Sequence, residues 1–332
     1  MSDFALDVKN LSIQFETHKG QIKALRSVNL RIPQKKVVGV VGESGCGKST
    51  LILAVMRLLA ENAQVGSGEI WFEGNDLLKA GKQKLRNIRG NRISMIFQDP
   101  MTSLNPVRNI GKQLIDTLYR EKISRAEKKQ RVINMLQTVG IPDPQDRMGQ
   151  YPHHFSGGMR QRITIAMALL ANPALLIADE PTTALDATLE VQIINLLKDL
   201  QKRIGCAILF VSHHLNVIAE LCDYVMVMYA GEAIEYGTVK EIFTRPSHPY
   251  TQALLRCDPA VITEKTRNLP TIPGEIPSLV HLPEGCIFVN RCTYKTDRCL
   301  KVSPESKRLT NTHFATCFNN QDYGKNETHT EN

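Results

Sequence analysis

Three short segments carry side chains whose types and spacing suit cleavage of a nucleoside triphosphate. The first is GESGCGKST, residues 42–50. Glycines at 42, 45 and 47 let the backbone curl so that its N–H groups, those of Ser44 and Cys46 included, face phosphate oxygens. Lys48 can reach the terminal phosphates, Ser49 offers a hydroxyl to Mg²⁺, and Thr50 starts a helix beside it. A chance glycine-rich turn is the competing reading. It loses because the match is complete and lies between a buried strand and a helical segment.

The second segment, LLIADEP over 175–181, is an apolar strand with carboxylates at its end. Asp179 is placed to act behind Mg²⁺, and Glu180 to orient or deprotonate an attacking water. Alone, Glu180 would read as a surface carboxylate; beside Asp179 and a phosphate-binding loop it reads as a base. The third segment is FSGGMRQR, 155–162, a Ser-Gly-Gly run opening a helix ahead of that strand. Two further polar side chains are expected at strand ends. Gln98 closes RISMIFQDP and can contact Mg²⁺ and the water without adding charge, while His213 closes LFVSH and can donate to a γ-phosphate. A lone strand-end histidine is more often structural. The functional role is favoured here because other strands deliver polar groups to the same sheet edge.

The elements that must position these groups follow from hydrophobic periodicity. LDVKNLSIQF (6–15) and ALRSVNLRI (24–32) alternate apolar and polar residues, as half-buried antiparallel strands do, and GEIWFEG (68–74) reads as another outer strand. KVVGVVG (36–42) is a continuous apolar run and predicts a strand buried on both faces. Residues from about 106 to 150 switch to helical spacing with many charges, an inserted helical region. Beyond it, ALLIAD, CAILFVSHH and YVMVMYAGEAIEYG alternate with helical segments, which indicates a parallel sheet with crossovers.

Composition bounds the rest. The 332 residues are enough for one large domain plus an appendage. The longest apolar stretch, 165–178, is interrupted by Asn172 and Pro173, so no membrane span is expected. The opening MSDFALDVKN is acidic and polar and does not read as a secretory signal. The net charge of +8 permits an anionic partner without selecting one; from Arg245 onward there are 11 Lys/Arg against 9 Asp/Glu, so no basic arm marks a nucleic-acid binder. Of eight cysteines, Cys46, Cys206, Cys222 and Cys257 read as packing residues.

The order of the phosphate loop, Gln98, Ser-Gly-Gly and Asp179-Glu180 resembles the ATP-binding cassette (ABC) ATPases over roughly residues 5 to 255. The resemblance implies an α/β fold: a P-loop ABC ATPase core with an antiparallel β subdomain, an inserted α-helical subdomain and a small cysteine-containing C-terminal appendage. It makes Gln98 the Q-loop glutamine and His213 the switch histidine. Ser156, Gly157 and Gly158 become the signature core, completing the ATP site of a partner subunit. Asp186, in the ALD of 184–186, falls in the loop that crosses to that partner, and Phe15 falls where an aromatic ring stacks on adenine, with His18 as the alternative. Phe155, Met159 and His214 depart from the commoner leucine, glutamine and aspartate, and none of these removes a phosphate-contacting group. Mg²⁺ ligation is expected from Ser49, Gln98 and Asp179. Expected boundaries are 1–245 for the ABC ATPase domain, with its helical insertion at about 106–165, then 246–318 for a C-terminal region and 319–332 for a disordered tail.

MIFQDPMTSLNP (95–106), MYAGEAIEYG (228–237), SHPYTQALL (247–255) and PGEIP (273–277) narrow the resemblance to the ATP-binding subunits of dipeptide and oligopeptide permeases, D-type branch. Relatives serve nickel and antimicrobial-peptide uptake. The implied partners are a homologous F-type ATPase subunit or a second copy, two transmembrane permease subunits and an external substrate-binding protein, at the cytoplasmic face of the inner membrane. Cys286, Cys292, Cys299 and Cys317 are spaced C-x₅-C-x₆-C-x₁₇-C, looser than structural zinc sites use. Iron–sulfur clusters accept looser spacing, and by resemblance these four thiolates ligate a [4Fe–4S] cluster. Four buried or free thiols are the alternative. Segment 270–318 is rich in Pro and turn residues, and a metal could hold it where apolar burial is scant. The rival function is a soluble ABC ATPase acting on DNA or ribosomes. A single cassette with a short insertion argues against it, so no nucleic-acid partner is expected. Intact Glu180 and His213 argue against a purely regulatory subunit.

Overall fold

The apolar run expected to be buried on both faces forms the strand Val37–Val41, and all five of its residues are buried. The computed structural model describes residues 3–183, 185–258 and 270–319. Ala184 and the expected tail from 320 onward lie outside the described residues. The described residues divide into two compact units, one built from 3–5, 32–36, 79–183 and 185–211, the other from 6–31, 37–78, 212–258 and 270–319.

The first unit holds three parallel strands, Ile93–Ile96, Leu175–Asp179 and Ala207–Val211, paired in that order. Their apolar residues are buried, except for Met95, which is half-buried. Helices Ile110–Thr117 and Arg125–Thr138 pack on each other and on Gly157–Leu169. Asn109 caps the first through the Lys112 N–H, and Ser124 with Glu127 forms a capping box on the second. The expected insertion therefore contains these two helices. The helix that opens at Gly157 shares its buried face with the strand Ile93–Ile96 as well.

The second unit holds an antiparallel sheet in which Phe4–Thr17 pairs with Ala63–Phe72, from Leu6↔Phe72 to Phe15↔Ala63. Val37–Val41 runs parallel to Tyr224–Tyr229. The segment YVMVMYAGEAIEYG, expected as one strand, is a hairpin: Tyr224–Tyr229 turns at Ala230 and Gly231 and returns as Glu232–Thr238. Both turn residues take positive φ, 44° and 88°. A Cβ on Gly231 would come within 2.8 Å of the Ala24 carbonyl oxygen, so only glycine fits that position.

The C-terminal region is better anchored than its composition suggests. Phe314–Ala315 adds to Glu232–Thr238 as an antiparallel strand. Ile287, Phe288 and Val289 are buried, and the Phe288 ring stands edge-on to Tyr229 at 5.1 Å. With Ala315 these are the buried hydrophobic side chains, cysteines aside, among the described residues of 270–318, so apolar burial there is scant, as expected, and concentrated at one point. The docking point is polar: Glu235, 2% exposed, accepts from the Ser247 and His248 N–H groups at 2.7 and 3.0 Å and pairs with His313 Nε2 at 2.7 Å. Burial pushes His248 down to about 4, leaving it neutral, and its Nδ1 accepts from the Tyr250 N–H at 3.0 Å. Glu235→Ala strips three partners of one buried acceptor. We expect it to cost about 3–5 kcal/mol, read as a lowered midpoint in urea unfolding.

Candidate functional site

In the second unit, the phosphate loop leaves the strand Val37–Val41 and enters the helix Lys48–Val55. Gly42, Gly45 and Gly47 all hold positive φ, at 150°, 79° and 106°. A Cβ on Gly42 would collide with the Met228 carbonyl, while Gly45 faces open space. The loop thus needs glycine for two reasons, close backbone approach at one end and a left-handed turn at the other. Ser44, Gly45 and Ser49 are exposed, and Thr50 is half-buried. The Lys48 ammonium is buried and donates to the carbonyls of Gly42 at 2.6 Å and Glu43 at 3.2 Å. Cys46 turns its thiol inward, and burial raises its pKa. Its N–H donates to the Glu43 carbonyl at 3.2 Å. Phe15 is half-buried on Phe4–Thr17, and His18 is exposed. His213 lies two residues past Ala207–Val211 instead of within a strand, and its exposed ring stands edge-on to that of His214 at 4.2 Å.

In the first unit, Asp179 ends its strand as expected. Glu180 follows with φ 45°, a left-handed conformation that costs a non-glycine residue about 1–2 kcal/mol. Its N–H is tied to the Val211 carbonyl at 2.9 Å. Its carboxylate accepts from Gln98 Nε2 at 3.3 Å and from Thr183 Oγ1 at 3.0 Å. The strand expected to end at Gln98 ends at Ile96, so Gln98 reaches Glu180 from a loop. Gln161 Nε2 donates to the Pro181 carbonyl at 2.6 Å, securing the turn after Glu180. Thr183 and Gln161 were not read from the sequence: Gln161 lies in the 155–162 segment but outside its Ser-Gly-Gly core, Thr183 lies outside the quoted motifs, and each acts through a neighbour brought close by folding.

Ser156 is exposed and caps the helix Gly157–Leu169, its Oγ accepting from the Met159 N–H at 3.3 Å. A Cβ on Gly157 would meet nothing within 4 Å, whereas one on Gly158 would press on Leu189 at 3.1 Å. Phe155 is buried, so this departure from leucine is absorbed by the core. Asp186 caps the helix Ala187–Ile204 through the Leu189 N–H.

Cys286, Cys292, Cys299 and Cys317 line one small cavity with His248 and Phe288. Burial pushes the Cys286 thiol up to about 12 and raises those of Cys292 and Cys317 as well. Among the described residues, however, no three His, Cys, Asp or Glu side chains are drawn together as a metal-ligand set. The chemistry of the donors suits a thiolate-bound group, and their arrangement is that of four separate thiols around a common space.

A glycine cradle with its lysine, and a strand-end Asp-Glu pair met by a loop glutamine, define an ATPase of the ABC class. The ABC transporter family model matches residues 25–183, and the model of the oligopeptide/dipeptide transporter C-terminal region matches 234–299. The chain is 47% identical to the oligopeptide transport ATP-binding protein OppD of Bacillus subtilis, across 93% of this chain and 87% of the relative. Identity to the dipeptide transport ATP-binding protein DppD of Lactococcus lactis is 46%, across 93% and 89%. Among solved structures, the dimeric ATP-binding cassette MJ0796, bound to ADP and Pi in a post-hydrolysis state, superposes with a TM-score of 0.63 at 28% identity, covering 70% of this chain and 98% of that one. CbiO1 of Clostridium perfringens, part of an ABC transporter complex, also gives 0.63, at 30% identity and 74% and 92% coverage. The chain belongs to the ATP-binding subunits of oligopeptide and dipeptide ABC transporters, and its reaction is hydrolysis of ATP to ADP and phosphate.

Proposed function

We propose that this chain is the ATP-hydrolysing subunit of a membrane importer for oligopeptides or dipeptides. The observation that carries the reading is 47% identity to an oligopeptide transport protein, joined to the peptide-transporter C-terminal match at 234–299. Two nucleotide-binding subunits close on ATP, each nucleotide held by one phosphate loop and the opposing Ser156, Gly157 and Gly158. The second subunit is another copy or an F-type homologue, and the dimeric form of the related cassette supports pairing of this kind. Ser49, Gln98 and Asp179 are the residues that would hold Mg²⁺, which when bound would offset phosphate charge. Glu180 takes a proton from the attacking water, His213 donates to the γ-phosphate, Phe15 stacks on adenine and Asp186 crosses to the partner.

Closure is passed to two permease subunits, with an external binding protein delivering peptide. The chain's place in this reading is peripheral, at the cytoplasmic face, as a partner of membrane permeases; among the described residues no helix is long and apolar enough to cross a membrane. Exposed Phe97, Val107 and Tyr119 on the first unit offer apolar contacts for a permease. Capture of the tagged chain from native membranes with gentle crosslinking tests the reading. Recovery of two polytopic permeases and an ATPase partner supports it, and the binding protein encountered separates peptide from nickel cargo. Ribosomal or DNA-bound partners without a permease would overturn it.

The four C-terminal cysteines also belong to this reading as ligands of a [4Fe–4S] cluster, which when bound would tie their segments together. Their convergence on one cavity supports it. Binding requires each raised thiol to lose its proton, so occupancy should fall as the pH is lowered. Protein purified without oxygen is expected to contain iron and acid-labile sulfide together. Well-folded protein lacking both would remove the cluster.

A further inference from the structure

We propose that Arg291 is a positioning residue for the ATP site, acting through Glu43; the proposal rests on 42–50 being the nucleotide-binding loop. The two residues are 248 positions apart, and the guanidinium grips the carboxylate with two bonds, Nη1 to Oε2 at 2.7 Å and Nη2 to Oε1 at 3.1 Å. The Arg291 side chain is only 4% exposed, against 28% for Glu43. Its other contacts are also specific: Nε donates to the Pro273 carbonyl at 2.9 Å, Nη2 to that of Ile272 at 3.0 Å, and Nη1 to the Tyr229 hydroxyl at 3.3 Å. Gly274, at φ 78°, lets the chain pass Arg291; a Cβ there would sit 3.2 Å from Cγ. A lysine offers a point charge and cannot reproduce this planar fork.

Glu43 is held through its backbone as well. Its N–H donates to the Tyr250 hydroxyl at 3.0 Å, and its carbonyl accepts from Lys48 Nζ at 3.2 Å and from the Cys46 N–H at 3.2 Å. Any displacement of Glu43 therefore moves the loop and the lysine that reaches phosphate. Charge points the same way. A carboxylate borne by a phosphate-binding loop repels an anionic ligand, and a buried guanidinium paired with it offsets that repulsion at short range. The region containing the four cysteines thus contributes directly to the shape and charge of the nucleotide loop.

The test uses the full-length chain and Mg–ADP as the probe, titrated calorimetrically alongside a melting curve for each variant. Arg291→Met keeps volume and leaves Glu43 uncompensated; it should weaken Mg–ADP binding by about 10-fold or more. Arg291→Lys should fall between it and the wild type. Adding Glu43→Gln to Arg291→Met removes the stranded charge and should regain most of the lost affinity, which a merely structural role for Arg291 would not produce. If Arg291→Met does not fold, Arg291→Lys and the double variant decide. Wild-type affinity in folded Arg291→Met, or a double variant as weak as the single, would overturn the proposal. Failure of the wild type itself to bind Mg–ADP would overturn the loop assignment beneath it.

Discussion

Glu180→Gln is expected to abolish ATP turnover while preserving ATP-dependent closure of the dimer. The substitution is isosteric, and the amide oxygen can still accept from Gln98 Nε2 and Thr183 Oγ1, which now meet the carboxylate at 3.3 and 3.0 Å. The backbone at φ 45° is held by the bond from the Glu180 N–H to Val211, and the side-chain exchange leaves that bond alone. What disappears is basicity. Loss of a positioned general base costs roughly 10²–10⁴-fold in rate, and the loss should fall on kcat, since nothing that grips the nucleotide is altered. Phosphate release from the assembled complex measures the first half of the prediction, and an ATP-induced shift from monomer to dimer on a sizing column measures the second. Turnover at the wild-type rate would show that another group takes the proton.

The parts of this site that were legible in the sequence are those whose chemistry and geometry come from one continuous segment. The glycines of 42–50 carry their backbone requirement in their identity, and the short apolar runs before Gly42 and Asp179 form strands that bury five and four consecutive apolar residues. Legibility failed where geometry depends on distant contacts. Gln98 sits in a loop because pairing with Leu175–Asp179 ends at Ile96↔Ala178, a register that no local pattern specifies. The hairpin at Ala230-Gly231 was hidden because alanine does not signal a left-handed turn as asparagine would. The C-terminal region reads as poor in core since its apolar residues are few. Nothing in it declares that the burial it has is completed by Tyr229 and Tyr250, whose rings pack with Phe288. The Arg291–Glu43 grip was invisible for the same reason: an arginine and a glutamate 248 residues apart declare nothing until the chain has folded.

Ser156→Arg should block dimer closure and leave ATP binding by the isolated chain intact. The physical case rests on what surrounds the position. Ser156 is exposed at the start of Gly157–Leu169, and the space beside Gly157 is open to 4 Å, so an arginine side chain finds room without disturbing its own unit. Loss of the bond from the Met159 N–H to Ser156 Oγ removes a helix cap, a cost of about 1 kcal/mol that the fold can bear. The same open face is what an incoming nucleotide, carried on another subunit, would need. A long cationic side chain there obstructs close approach of phosphates to the helix N-terminus, since it replaces a small hydroxyl with bulk that screens the backbone donors beside it. Combined with Glu180→Gln, to keep ATP unhydrolysed, the variant should remain monomeric at ATP concentrations that convert Glu180→Gln alone to dimer. Its own phosphate loop, which lies in the other unit, is untouched, so ATP titrated into the monomer should bind as it does to the wild type. Loss of that binding would mean that Ser156 serves the ATP site of its own chain, and the shared-site arrangement would fall.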